Sequence, residues 1–216
     1  MFYTKQSGFT LIEMIVSLAV FSFVVTIAIG ALLMLMSASK RLQGEQSVMT
    51  NLSFALDAMT REIRTGTFYY CATGNSNSNS SIFNPSVSLE DLGDQTNDCP
   101  NGAQGNKYHG LAFKEGGNSI TATNERILYY YDPEFGKIYR RVGGGAAESI
   151  VSSGIFIKDM EFVVTGTQKL VNSSNVITNN VEQPTVTLYI EAAETNDITA
   201  KTYTLQTTVT QRTLDL

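Results

Sequence analysis

Apolar and polar positions divide the chain into three stretches. From Phe9 to Met36 the sequence is apolar or small, and Glu13 is its one charge. About 20 apolar residues cross a bilayer as a helix, so this run is long enough. From Ser37 the chain turns polar, yet Leu42, Val48, Leu52, Leu56, Met59 and Ile63 recur at steps of three, four or six, with Met49 and Ala55 alongside. That spacing places them on one helical face, while Lys40-Arg41 and Arg61-Glu62 keep the other face wet. Gly66 follows the last periodic residue as a C-cap candidate. The pattern predicts one helix over 9–64, apolar in its first half and amphipathic in its second.

The third stretch changes period. Residues 67–106 read as a loop, with an Asn/Ser-biased "GNSNSNSSIFNPS" that has no periodicity. From Tyr108 onward the chain reads as strands. "YHGLAF" and "SITAT" are short candidates, and "ERILYYYDPEFGKIYRRV" is a hairpin around a Pro/Gly turn cluster. "GIFIKDMEFVVTG", "PTVTLYIEAAE" and "TYTLQTTVTQRTL" alternate apolar and polar residues, as half-buried antiparallel strands do. One long helix followed by four or more such strands predicts an α+β fold, the helix packed on a sheet.

Composition narrows the function classes. The 216 residues carry a net charge of -5, which argues against a general nucleic-acid binder, and no nucleic-acid partner is expected. Two cysteines and one histidine, Cys71, Cys99 and His109, do not supply a four-ligand zinc site. No phosphate-loop or nucleophile-elbow pattern occurs, and no paired histidines offer base or metal chemistry. His109 falls in a predicted strand as a structural or surface residue. "KIYRR" reads as a solvated hairpin arm, and the glycines at 143–145 as a turn. Neither an enzyme nor a cofactor is expected. Asp91, Asp94, Asn97 and Asp98 match no calcium-loop spacing and read as a solvated acidic loop. Asn79-Ser80-Ser81 fits a glycosylation acceptor only at the level of a chance tripeptide.

Three readings compete for the apolar run. A secretory signal peptide could be cut after Ser39, but such cores span 7–15 residues and this one is longer. A plain signal anchor is the second. The third places a cut before the run, and it addresses Glu13. An uncompensated charge within a bilayer is costly, and an intramembrane acid needs a named partner.

"GFTLIE", Gly8 to Glu13, preceded by the short polar "MFYTKQS", resembles the processing motif of type IV pilins and type II secretion pseudopilins. The resemblance implies a leader peptide 1–8, cleavage between Gly8 and Phe9 by a prepilin peptidase, and N-methylation of Phe9 by the same class of enzyme. It also implies that Glu13 pairs with the N-terminus of a neighbouring subunit. Cleavage turns an amide into an ammonium, so it creates the cation that Glu13 lacks. Pairing offsets much of the cost of a buried charge. The alternative is a Glu13 that snorkels to the headgroups.

The later order of elements, "LDAMTREIR", "ILYYYDPEFGKIYRR", "SGIFIKDMEFVV" and "LQTTVTQR", resembles J-type minor pseudopilins and W-type minor pilins. The implied division is a transmembrane or filament-core half-helix 9–36, an amphipathic half-helix 37–66 and a β-rich head 67–216. The implied partners are other pilins, an inner-membrane assembly platform and membrane lipid before assembly. The implied site is the bacterial inner membrane with an extracytoplasmic head, then a filament. Major pilins of the family place proline where this chain has Gly30, so helix melting on assembly is expected to centre there. Beyond the span disulfides persist. Cys71 and Cys99 are then expected to bridge, the alternative being two free thiols. Rival functions are a tip adhesin or DNA-uptake subunit with the same anchor, and an anchored enzyme or sensor that is not a prepilin.

Overall fold

The computed structural model describes residues 8–73, 81–84, 98–99, 107–114, 126–167, 170–171, 177–178, 183–194 and 201–212. Helix α1 spans Leu11–Thr65 and is followed, among the described residues, by ten strands. β1 (Thr67–Thr73), β2 (Tyr108–Lys114), β3 (Arg126–Asp132), β4 (Lys137–Val142) and β5 (Glu148–Ser149) form one antiparallel sheet in that order. β6 (Phe156–Thr165), β9 (Thr185–Ala193) and β10 (Thr202–Thr210) form a second, ordered β10-β9-β6. β7 (Leu170–Val171) and β8 (Ile177–Thr178) make a small two-stranded ribbon. The fold is α+β. "SITAT", the Asn/Ser-rich stretch apart from residues 81–84, and Asp91, Asp94 and Asn97 lie outside the described residues, as does Asn79.

The chain separates into two compact units, Met1–Gln46 and Ser47–Leu216. In the first, α1 exposes Leu, Ile, Val, Phe and Met on every side. Its hydroxyls cap their own backbone: Ser17, Ser22, Thr26 and Ser37 each donate to a carbonyl three or four residues earlier. A helix that is apolar all round and satisfies its own polar groups suits a lipid or protein surround. Helix α1 is long and apolar enough to cross a membrane, with a mean hydropathy of 2.7 over 18 residues. Gly30 sits inside it without a break.

In the second unit, the stripe read from the sequence is the buried one: Val48, Leu52, Ala55, Leu56, Met59 and Ile63. They share a core with Leu111, Phe113, Tyr129, Ile138, Met160, Phe162, Leu188 and Ile190 from the inner faces of both sheets. Truncating Met59 or Leu52 there to alanine costs about 2–5 kcal/mol. A smaller core on the opposite face of the first sheet gathers Tyr70, Ala72, Ala112, Leu128 and Tyr130 under Ile82 and Phe83 of a single 3-10 turn, Ser81–Phe83.

Two expectations need correction. The stretch after residue 66 does not begin as a loop, because Thr67–Thr73 is β1. Its alternation is masked by Phe68, which takes a φ of 55° where the register against β2 shifts between Thr67 and Tyr70. Gly66 does follow the helix, but not as a left-handed cap, since the positive-φ glycines are Gly136, Gly143 and Gly166. A Cβ on Gly66 would lie 2.4 Å from the Phe113 ring, so close packing explains the glycine. The helix end is closed instead by Gly66 N–H donating to Ile63 and by the Tyr69 hydroxyl donating to Ile63 and Gly66 carbonyls, at 2.6 and 2.7 Å.

Candidate functional site

The sequence motif falls at the start of α1. Gly8, Phe9 and Thr10 precede the first helical residue, Leu11. The Thr10 carbonyl accepts the amides of Glu13 (3.1 Å) and Met14 (3.3 Å), which starts the helix. Gly8 and Phe9 are therefore outside its hydrogen-bond ladder. A Cβ on Gly8 would meet nothing within 4 Å, and Phe9 is 76% exposed. A non-helical, uncrowded peptide bond is what a protease must reach. Helical backbone would first have to unwind.

Glu13 lies in the first turn of α1, where a carboxylate complements the positive end of the helix dipole. On the same face Ile12, Val16, Ser17, Val20 and Phe21 line a shallow, apolar surface. Among the described residues the Glu13 carboxylate makes no hydrogen bond or ion pair. The arrangement thus offers one acid on an apolar face, a few residues after the Gly8–Phe9 bond.

The other candidates belong to the second compact unit. Cys71 of β1 and Cys99 are joined in a disulfide. Cys99 also exchanges both backbone hydrogen bonds with Val164 of β6, at 2.8 and 3.1 Å. The bridge therefore links the edge of the first sheet to the edge of the second. Asp98 accepts the amide and hydroxyl of Thr167 at 2.8 and 2.7 Å, an inward role that its acidic neighbourhood did not reveal.

The basic hairpin arm is engaged within the head. Lys137 donates to the carbonyls of Ser152 and Ile155. Arg141 donates to Phe83, and Arg140 pairs with Glu62. His109 sits in β2 with its Nε2 3.9 Å from Asp159 and its ring edge-on to Tyr131. Burial holds the imidazole below its usual pKa, with Lys107 adding to that effect and Asp159 and Glu161 opposing it. Asp159 is itself paired with Lys107. Burial also raises Tyr131, to about 12, with Asp159 and Asp132 contributing. Its hydroxyl donates to the carbonyls of Lys158 (2.9 Å) and Ile157 (3.2 Å). No group of three or more metal-ligating side chains forms among the described residues.

Residues 3–29 match the family model of the prokaryotic N-terminal methylation motif. The match covers Gly8, Phe9 and Glu13 together with most of the apolar run. It supports a pilin- or pseudopilin-type subunit, a membrane anchor at the N-terminal helix with a head following it, and processing by a prepilin peptidase. No curated protein and no solved structure matches the chain.

Proposed function

We propose that this chain is a minor pilin or pseudopilin, a structural subunit that primes or caps a type IV pilus or a type II secretion pseudopilus. It acts through noncovalent assembly and is a substrate of processing, not a catalyst. The carrying observation is the methylation motif lying at the non-helical entry to an all-round apolar helix. Hydrolysis of the Gly8–Phe9 bond leaves a carboxylate on the leader and an ammonium on Phe9. Glu13 of an incoming subunit pairs with that ammonium on a neighbour. A subunit at the wrong height leaves both charges unpaired, which makes the pair a register device. The order of elements in the head favours the J-type or W-type minor branch.

Intact mass of the membrane-extracted protein tests this reading. A chain beginning at methylated Phe9 is the expected result, and an uncut chain or one beginning at Lys40 refutes it. Glu13→Ala should be cleaved normally but incorporated poorly into filaments. Normal incorporation would return Glu13 to a headgroup-facing role.

A further inference from the structure

The free edges of the head's two main sheets differ in how they are protected. β1 has two register shifts and the positive-φ Phe68. β5 is two residues long. The outer edge of β6 is met by Cys99. These are the usual devices that stop one sheet from adding to another. β10 has none of them. It runs nine residues, Thr202–Thr210, in unbroken register with β9, and among the described residues it pairs with no other strand. It contains no proline, no glycine and no charge, and five of its nine residues are threonine. Thr202, Thr204, Gln206, Thr208 and Thr210 are exposed on one face.

The order of residues along β10 suggests what would cover that edge. The exposed face of β10, Thr202-Thr204-Gln206-Thr208-Thr210, is a palindrome about Gln206. Reversed against itself, it sets Thr202 opposite Thr210, Thr204 opposite Thr208 and Gln206 opposite Gln206 on the exposed face. On the other face Tyr203 meets Val209 and Leu205 meets Thr207. Thr–Thr and aromatic–β-branched pairs are favourable across antiparallel strands. The sheet already uses the first kind, because the hydroxyls of Thr187 and Thr208 lie 3.0 Å apart. A slip of one residue would turn each side chain's counterpart to the wrong face. A slip of two would shorten the ladder and set Gln206 against Thr208.

We propose that β10 is a self-pairing edge, and that two copies of this chain associate head to head through antiparallel β10–β10 addition with the two-fold axis at Gln206. Such an isologous contact closes on itself. It joins two three-stranded sheets into one six-stranded sheet that is antiparallel throughout. The contact is independent of the processing motif and does not need filament packing.

Cysteine cross-linking of the full-length chain in detergent tests the register. Gln206→Cys should give a covalent dimer on mild oxidation, because the two copies of residue 206 face each other. Thr202→Cys alone should give about tenfold less, since its two copies would stand roughly 27 Å apart at 3.4 Å per residue. Combining Thr202→Cys with Thr210→Cys should restore the yield. Gln206→Lys should weaken the uncross-linked dimer about tenfold or more by sedimentation. These exposed positions report without entering the core, and retained thermal unfolding of each variant checks that the head is intact. Equal yields from residues 202 and 206 overturn the proposal. So does a head that stays monomeric at tens of micromolar, or a dimer indifferent to Gln206→Lys.

Discussion

The Arg140 guanidinium lies 2.8 Å from the Glu62 carboxylate, joining β4 to the last turns of α1 across 78 residues of sequence. The same carboxylate accepts the Tyr129 hydroxyl at 2.7 Å. Both pair members are about one-third exposed, so the ion pair alone is worth less than about 1 kcal/mol. The Tyr129 hydroxyl is the larger stake. Its residue is 1% exposed, and burial together with Glu62 raises its pKa. Removing a partner from a buried donor costs about 1–3 kcal/mol. Glu62→Ala should therefore destabilise the head by about 2 kcal/mol in urea unfolding. Adding Tyr129→Phe should recover part of that loss. Strictly additive effects would show that the two groups do not act together.

The Cys71–Cys99 bridge closes a separation of 28 residues and ties together the edges of two sheets. A loop of that length is worth about 3–4 kcal/mol in the chain-entropy model. Replacing both cysteines by serine should lower the unfolding midpoint accordingly. The methylation motif lies in the other compact unit, so peptidase processing in membranes should be unchanged. Loss of cleavage in the serine variant would contradict that independence.

These two relationships show where sequence reading succeeded and where it stopped. The helix was legible because its signals are periodic: an apolar run, then Val48, Leu52, Leu56, Met59 and Ile63 on one face. The hairpin of β3 and β4 and the strands β6, β9 and β10 were legible from β-rich runs and turn residues. Gly8 and Glu13 stood out because the motif is local. β1 was missed because a bulge at Phe68 breaks its alternation within a seven-residue strand. Glu62–Arg140–Tyr129, Asp98–Thr167 and Cys99–Val164 were not legible, because each joins residues more than 60 positions apart. Only packing brings them together. "KIYRR" misled for a related reason: charges on an exposed-looking hairpin found partners on other elements.

His109 should give the head an acid-sensitive limb. It faces Asp159 and Glu161 on β6, Lys107 beside it and Tyr131 on β3. Burial lowers its pKa in the folded state below the usual 6.5. The unfolded chain then binds the proton more readily than the folded one. Its contribution is complete above pH 6.5 and declines as pH falls from there toward the folded-state value. Thermal unfolding should be level above pH 7 and decline below 6.5, and His109→Asn should make that decline shallower. An unchanged slope in the variant would assign the acid limb to the carboxylates instead.

Gly136 ends the turn between β3 and β4 with a φ of 58°, and an added Cβ would lie 2.2–2.5 Å from three atoms of the Phe156 ring. Two costs should therefore add in Gly136→Ala. The left-handed conformation accounts for about 1–2 kcal/mol. Displacement of Phe156, held at the start of β6, accounts for another 1–3 kcal/mol, roughly, of overpacking. The two separate experimentally. In a Phe156→Ala background the steric part disappears while the backbone part remains, so Gly136→Ala should there cost only about 1–2 kcal/mol. The Ile157 amide also donates to the Gly136 carbonyl at 2.9 Å, so the turn and β6 shift together if the ring is pushed. Equal costs in both backgrounds would show that the ring yields freely and that the glycine is needed for its backbone alone.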